Sequence, residues 1–155
     1  MTSTETSKRS LALSPIALEA WVSLITAHAG LLRTLDAELR QAHNVSLGDF
    51  DVLAHLADVP REGRRMCDLA NAVLLSPSGL SRRVERLERA GFVRRERGES
   101  DARNIHAQLT PAGRRLFRRM RETHLAGVNG HFAEHFDRGE LESLRELLAR
   151  LTPPP

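Results

Sequence analysis

The segment Ser76–Val93 of this 155-residue chain reads SPSGLSRRVERLERAGFV, and the fold can be worked out from it. Ser76 is a good helix cap, Pro77 suits the first helical turn, and Gly91 suits the position just beyond the helix end. Apolar residues between them recur at steps of three and four, as on the buried face of a helix. They are Leu80, Val84 and Leu87. The segment therefore predicts a capped amphipathic helix over Ser76–Ala90.

The elements next to this helix are short. A helix over Cys67–Leu74 is predicted to precede it, with only a tight turn between the two. Two strands are predicted to follow, Phe92–Arg97 and Asn104–Leu109, joined by the polar loop Gly98–Arg103. A short helix, a turn, a capped helix and a hairpin in this order predict a winged helix-turn-helix domain over residues 46–110.

The chain before this region is predicted to form two helices. Over Pro15–Ala42, apolar residues recur at alternating steps of three and four. A helix of roughly 28 residues is about 42 Å long, more than a small core can cover, so it suggests a partner chain. Ser46–Ala57 is predicted as a second helix, with Ser46 and Asp49 in capping-box spacing, followed by a loop over Asp58–Arg65.

The C-terminal part is also predicted to be helical. Thr110 and Pro111 restart a helix that is expected to extend to Phe136. Asp137 and Glu140 have capping-box spacing at the start of a last helix. The apolar residues of that helix, expected to be buried, are Leu141, Leu144, Leu148 and Leu151.

The expected fold class is mainly α with a small two- to three-stranded β-wing (α+β). The predicted regions are a flexible N-terminal tail (1–14), a helical dimerisation region (15–45 and 111–151), the winged helix-turn-helix DNA-binding domain (46–110) and a proline tail (152–155).

Charge is strongly polarised along the chain. Ser76–Arg121 contains thirteen arginines and five acidic residues, a balance of +8, while the remainder has ten basic and fifteen acidic residues. The total of +3 therefore hides a compact basic region beside an acidic remainder. Such a region attracts a phosphate backbone, so double-stranded DNA is the expected partner.

Composition argues against several other classes of protein. With 41% hydrophobic residues the chain can bury a real core, and no run approaches the roughly 18 consecutive apolar residues of a membrane helix. Cys67 is the only cysteine, which excludes an internal disulfide and fits a reducing cytoplasm. The sequence has no nucleophile–base pair, P-loop or zinc-protease motif, so neither an enzyme nor a cofactor is expected.

The start of the Ser76–Ala90 helix is the predicted DNA contact. A helix about 10–12 Å across fits the major groove, where its first residues meet base edges. Either Arg82 or Arg83 could bind guanine through two hydrogen bonds, and helix phase favours Arg82 as the outward residue. The candidate contacts on this helix are Ser76, Pro77, Ser78, Gly79, Ser81, Arg82, Arg83 and Arg86.

The loop Gly98–Arg103 is the predicted wing. An arginine at its tip could enter the minor groove, where narrow A·T tracts concentrate negative potential. Asp101 is expected to pair with an arginine and to hold the wing in shape, because a carboxylate repels phosphate.

Three motifs together resemble the MarR family of bacterial transcription regulators. They are Leu80–Val93, Asp101-Ala102-Arg103 and Leu109-Thr110-Pro111-Ala112-Gly113, and the resemblance extends from Pro15 to Leu151. It implies a homodimer whose first and last helices intertwine, with paired wings and recognition helices on a palindromic operator. It also implies that Arg103 reaches the minor groove and that Asp101 braces it, often against a recognition-helix arginine that Arg86 matches.

The resemblance further implies control by a small aromatic or phenolic ligand. Relatives that bind aromatic acids or urate build the pocket near the junction of the dimerisation and DNA-binding parts. The matching candidates here are Trp21, His28, Phe50 and Asp51, with Arg83 as a further possibility. Ordinary core packing is the alternative interpretation of Trp21.

Several other residues allow a functional and a structural interpretation. Cys67 could sense oxidants from a helix start, but packing is the commoner role of such a residue. One helical face is predicted to carry His124, His131 and His135. His131 and His135 could bind a metal there; the alternative is that all three line a dimer interface or face solvent. No metal site is therefore predicted. The remaining arginines, expected to be solvated, are Arg114, Arg115, Arg118, Arg119 and Arg121.

The sequence thus predicts a dimeric, sequence-specific DNA-binding transcription regulator, a repressor of palindromic operators that a small aromatic ligand could release. The alternative is a winged-helix module that binds protein or RNA without operator specificity.

Overall fold

The computed structural model describes residues 13–59, 63–73, 75–97 and 105–151. Six α-helices, one 3-10 helix and one three-stranded antiparallel sheet occur in these ranges, which confirms the predicted mainly α fold with a small β-wing. The helices are α1 (Pro15–His43), α2 (Leu47–Ala57), α3 (Met66–Ala72), α4 (Pro77–Arg89), α5 (Pro111–His131) and α6 (Arg138–Ala149), with the 3-10 turn at Ala133–His135. The predicted tails, 1–14 and 152–155, lie almost wholly outside the described residues.

Side-chain caps fix the start of five of the six helices. The cap of α1 is Ser14, whose hydroxyl accepts a hydrogen bond from the amide of Ala17. Both predicted capping boxes form, at the starts of α2 and α6. The five capping residues are Ser14, Ser46, Ser76, Thr110 and Asp137.

The sheet has three strands, within the predicted two to three, although the sequence located only two of them. Its order is β1 (Arg64–Arg65), β3 (Ile105–Leu109), β2 (Val93–Arg97), all antiparallel. The stretch Asp58–Arg65, predicted as loop throughout, thus ends in a two-residue strand. Pairing of Arg64 with Ala107 supplies the hydrogen bonds that the local sequence does not indicate.

Two helices differ from their predicted bounds. The third helix begins and ends earlier than Cys67–Leu74, and its cap position, Arg65, makes no side-chain cap. The fifth ends at His131 instead of Phe136, because Phe132 leaves the helical conformation before the 3-10 turn.

The core lies within the winged helix-turn-helix part. Its largest fully buried side chains come from the first five helices and from β2. They include Leu39, Leu53, Leu56, Leu69, Leu80, Val84, Val93 and Met120. Two glycines allow close helix contacts: a side chain at Gly113 would overlap the carbonyl of Phe92, and one at Gly127 would collide with Leu35 of α1. The C-terminal half of α1 is thereby packed against α5.

The outer helices leave apolar surface uncovered within one chain. In α1, the exposed large apolar side chains are Ile16, Leu18, Trp21, Val22, Leu24, Ile25 and Leu32. In α6, the expectation of buried leucines is wrong for a single chain: Leu148 is exposed, and so is Leu151 beyond the helix end. Large exposed apolar surfaces are uncommon on monomeric proteins and are typical of interaction sites.

By length and composition alone, α1 could cross a lipid bilayer, because it holds an 18-residue stretch with a mean hydropathy of 1.4. That differs from the sequence-based expectation, which counted only uninterrupted apolar runs. None of the stretch is buried inside the chain. Its exposure therefore has to be explained together with that of α6.

Candidate nucleic-acid interface

The first turn of α4 presents small polar side chains to solvent. The Ser76 hydroxyl accepts a hydrogen bond from the Gly79 amide (3.1 Å) and lies 3.3 Å from the hydroxyl of Ser78. Pro77 occupies the first helical position, and Ser81 is exposed one turn later. A helix start without bulky side chains can approach a base-pair edge closely.

Two adjacent arginines of α4 point in different directions, as helix phase predicts. Arg82 is exposed, its Nε donates weakly to the Ser78 carbonyl (3.5 Å), and it forms no ion pair with any described residue. Three quarters of the Arg83 side chain is buried. Its Nη1 donates to Ser46 Oγ and to Asp49 Oδ1, both at 3.2 Å. Arg82 is therefore the arginine available to a base, while Arg83 is held by α2.

Arg86 also binds the carboxylate of Asp49, although its side chain is largely exposed. The resemblance instead pairs Arg86 with Asp101. Asp101 and Arg103 lie outside the described residues, so that pairing and the minor-groove role of Arg103 stay predictions. Sequence reasoning gave Asp49 only a capping role and missed its pairing with two arginines of α4.

A second carboxylate ties α1 to the start of α2. Asp36 Oδ1 accepts a hydrogen bond from the Leu47 amide (2.8 Å), and its Oδ2 accepts one from Arg40 Nε (2.6 Å). The hydrogen bond from Arg40 is the larger cause that holds the pKa of Asp36 below its usual value, and the bond from Leu47 adds to it. Asp36 therefore stays charged at neutral pH and fixes the entry of α2 against α1.

The base of the wing is fixed by polar contacts. Arg95 Nε donates to Glu88 Oε2 (2.8 Å), which joins β2 to the end of α4. Arg94 Nη2 donates to Gln108 Oε1 (3.1 Å) across the two hairpin strands. The wing tip, 98–104, lies outside the described residues, but its two strands start from this braced base.

The candidate ligand residues Phe50 and Asp51 lie where α2 meets α5. Phe50 is buried, with its ring centroid 5.7 Å from that of Phe117 and 4.6 Å from that of His124. Burial raises the pKa of the Asp51 carboxyl and lowers the pKa of His124, and each group partly offsets the shift of the other. The Nδ1 atom of His124 is buried without a hydrogen-bond partner among the described residues.

The other two ligand candidates, Trp21 and His28, are exposed on α1. The core-packing interpretation of Trp21 is wrong within one chain, since this side chain is 55% exposed. One chain therefore does not enclose these two residues in a pocket.

Two of the three histidines share a helical face as predicted, since His124 and His131 lie seven residues apart on α5, but His135 belongs to the 3-10 turn. His131 Nε2 lies 2.6 Å from Glu38 Oε1 of α1, and His124 packs on Phe50. In the described ranges, no cluster of three or more His, Cys, Asp or Glu side chains could hold a metal ion. Cys67 is exposed at the start of α3, with its sulfur 3.6 Å from Asp68 Oδ1.

Comparison with known proteins places this geometry in a family. The MarR family model matches residues 43–104. The HTH-type transcriptional regulator PecS of Dickeya dadantii is 33% identical over 123 residues, which are 77% of this chain and 71% of PecS. The chain belongs to the MarR family. The predicted resemblance is thereby confirmed, and the relatives in this family are DNA-binding transcription regulators.

Two solved MarR-family regulators from Streptomyces coelicolor share the fold. AbsC is 31% identical with a TM-score of 0.83, over 90% of this chain and 94% of AbsC. Sco3205, solved in complex with DNA, is 30% identical with a TM-score of 0.86, over 94% of this chain and 91% of Sco3205.

Proposed function

We propose that this MarR-family protein is a homodimer that represses transcription by binding a palindromic operator. The observation that carries the proposal is the start of α4, where exposed serines stand beside Arg82, a cation without an ion-pair partner in the described part of the chain. Each subunit would insert this start into a major groove. The centres of the two half-sites would then lie about one helical turn apart, near 34–36 Å.

The homodimer accounts for the apolar surfaces of α1 and α6. A second copy of the chain presents the same two surfaces, so a twofold contact would cover both at once. A bilayer could cover α1, but it would leave the amphipathic α6 unexplained. Family membership among DNA-binding regulators favours the second copy as the partner of both helices.

Arg103→Ala is expected to lower operator affinity by roughly tenfold or more while leaving the dimer intact, because it removes a cation from the minor groove. The matched control is Arg118→Ala, which removes an exposed arginine of α5. Gel-shift titration on a selected operator measures the effect, and sedimentation confirms the dimer. Equal affinities for Arg103→Ala and the unchanged protein would remove Arg103 from the interface.

Release by a small aromatic acid forms the second part of the proposal. His124 offers an imidazole 4.6 Å from the ring of Phe50, and Asp51 offers a carboxyl close enough to act electrostatically on that imidazole, while Trp21 lies on the α1 surface assigned to the dimer contact. Thermal-shift screening with aromatic acids is expected to give a stabilising compound that also weakens operator binding. A ligand that lowers the affinity for DNA must have its own affinity lowered by DNA by the same factor. A compound that stabilises the protein without changing its DNA affinity would therefore reject this role.

A further inference from the structure

The buried carboxylate of Asp49 joins α2 to the recognition helix α4. We propose that Asp49 is a positioning residue for operator selectivity: it aims α4 and keeps Arg83 and Arg86 from binding phosphates indiscriminately. The inference rests on the proposed function, since it concerns how the same helix distinguishes an operator from other DNA.

The two oxygens of Asp49 have separate partners. Oδ2 accepts hydrogen bonds from the Ser46 hydroxyl (2.7 Å) and the Ser46 amide (3.3 Å), which closes the capping box of α2. Oδ1 accepts from Arg83 and from Arg86, on successive turns of α4. Asp49 is only 4% exposed, so losing either set of partners would leave a charged group poorly compensated. This double use fixes α4 against the capped start of α2.

The same contacts connect α4 to α1. Asp36 of α1 binds the Leu47 amide, so the start of α2 is held on both sides, by α1 and through Asp49 by α4. In the proposed dimer, α1 sets where the two subunits stand. Asp49 therefore fixes the direction of each recognition helix relative to the dimer, on which half-site spacing depends.

Charge gives Asp49 a second effect. Arg83 and Arg86 share one carboxylate. Without it, Arg86 would be free to bind a phosphate, and Arg83 would keep only its hydrogen bond to Ser46. Phosphate contacts raise affinity for all DNA, whereas base contacts require correct aim. Loss of the carboxylate should consequently weaken binding to the operator, while binding to random duplex should stay the same or become tighter.

Gly48 offers a second way to disturb this contact without removing the carboxylate. A Cβ atom at this position would lie 2.5 Å from Arg83 Nη1 and 2.8 Å from its Cζ. The clash is with the flexible end of a side chain, and alanine favours a helix more than glycine does. Gly48→Ala should therefore fold and displace the Arg83 guanidinium from Asp49.

The control is Glu85→Gln. Glu85 pairs with Arg89 at 2.6 Å within the exposed surface of α4. This substitution also frees an arginine of α4, but it leaves the Asp49 contacts in place. It should raise affinity for operator and random duplex by similar factors, because only the charge changes.

The experiment measures the affinities of the full-length protein, Asp49→Asn, Gly48→Ala and Glu85→Gln for a selected operator and for a random duplex of equal length, over a salt series. We expect Asp49→Asn to bind the operator roughly tenfold more weakly and random duplex at least as tightly as the unchanged protein. Its salt slope on random duplex should steepen by about 0.9 for each arginine that reaches a phosphate. Gly48→Ala should have the same two effects as Asp49→Asn, each to a smaller extent.

Two outcomes would overturn the role of Asp49 while leaving the proposed function in place. The first is selectivity retained in both Gly48→Ala and Asp49→Asn, and the second is a change of both affinities by similar factors, as expected for Glu85→Gln. If Asp49→Asn does not fold, Gly48→Ala decides the question by itself. If the wild-type protein binds operator and random duplex equally, that result would instead contradict the proposed function, and this inference with it.

Discussion

Ile25→Glu is expected to convert the dimer into a monomer and to lower operator affinity at least 100-fold, since joining two half-site contacts multiplies affinity by about 10²–10⁴. Seven large apolar side chains of α1 are between 37% and 71% exposed in one chain. A twofold interface would bury Ile25 in both copies, so each dimer would contain two glutamates without partners. An unpaired buried charge costs several kcal/mol, and the dimer would carry this cost twice.

Ala37→Glu is the matched control for this substitution. It places the same side chain on α1, at an exposed position next to Asp36 and far from the apolar N-terminal half. Sedimentation equilibrium measures the assembly state, and gel shift measures operator affinity. A dimeric Ile25→Glu protein with unchanged affinity would show that this part of α1 is not the interface.

Operator affinity is expected to fall by about 10³–10⁵ between 50 and 200 mM salt, as for proteins that make six to ten phosphate contacts. The reason is the +8 balance of Ser76–Arg121, which a dimer presents twice. Each arginine that binds a phosphate releases a condensed counterion, and added salt opposes that release. Fluorescence anisotropy with a labelled operator gives the slope.

The control for this measurement is sedimentation of the free protein over the same salt range, which verifies that the dimer persists. Affinity that stays flat while the dimer remains intact would contradict phosphate contact and favour the alternative of a protein-binding module.

Local signals explain which helices the sequence could locate. The helices with a serine, threonine or aspartate cap begin within one residue of the predicted position, since the cap bonds to an amide three residues away. The helix α3 has no such side-chain bond; it begins one residue before the predicted Cys67 and ends two residues before the predicted Leu74. The end of α5 carries no such signal either, because no glycine or proline directly follows His131.

Long-range contacts account for what the sequence could not indicate. Asp49 and Arg83 are 34 positions apart, and their pairing depends on the crossing of α2 and α4. The strand at Arg64 likewise exists only because it pairs with Ala107. The outward direction of Arg82 needed only helix phase, so that part of the candidate interface was predictable, whereas the anchoring of Arg83 was not.

Selection of bound sequences from a pool of random duplexes tests the central claim most directly, because it examines binding, symmetry and spacing together. The account predicts enrichment of an inverted repeat whose half-site centres are about 10–10.5 base pairs apart, bound by two copies of the chain. Recovery of sequences without symmetry, or no enrichment at all, would contradict it.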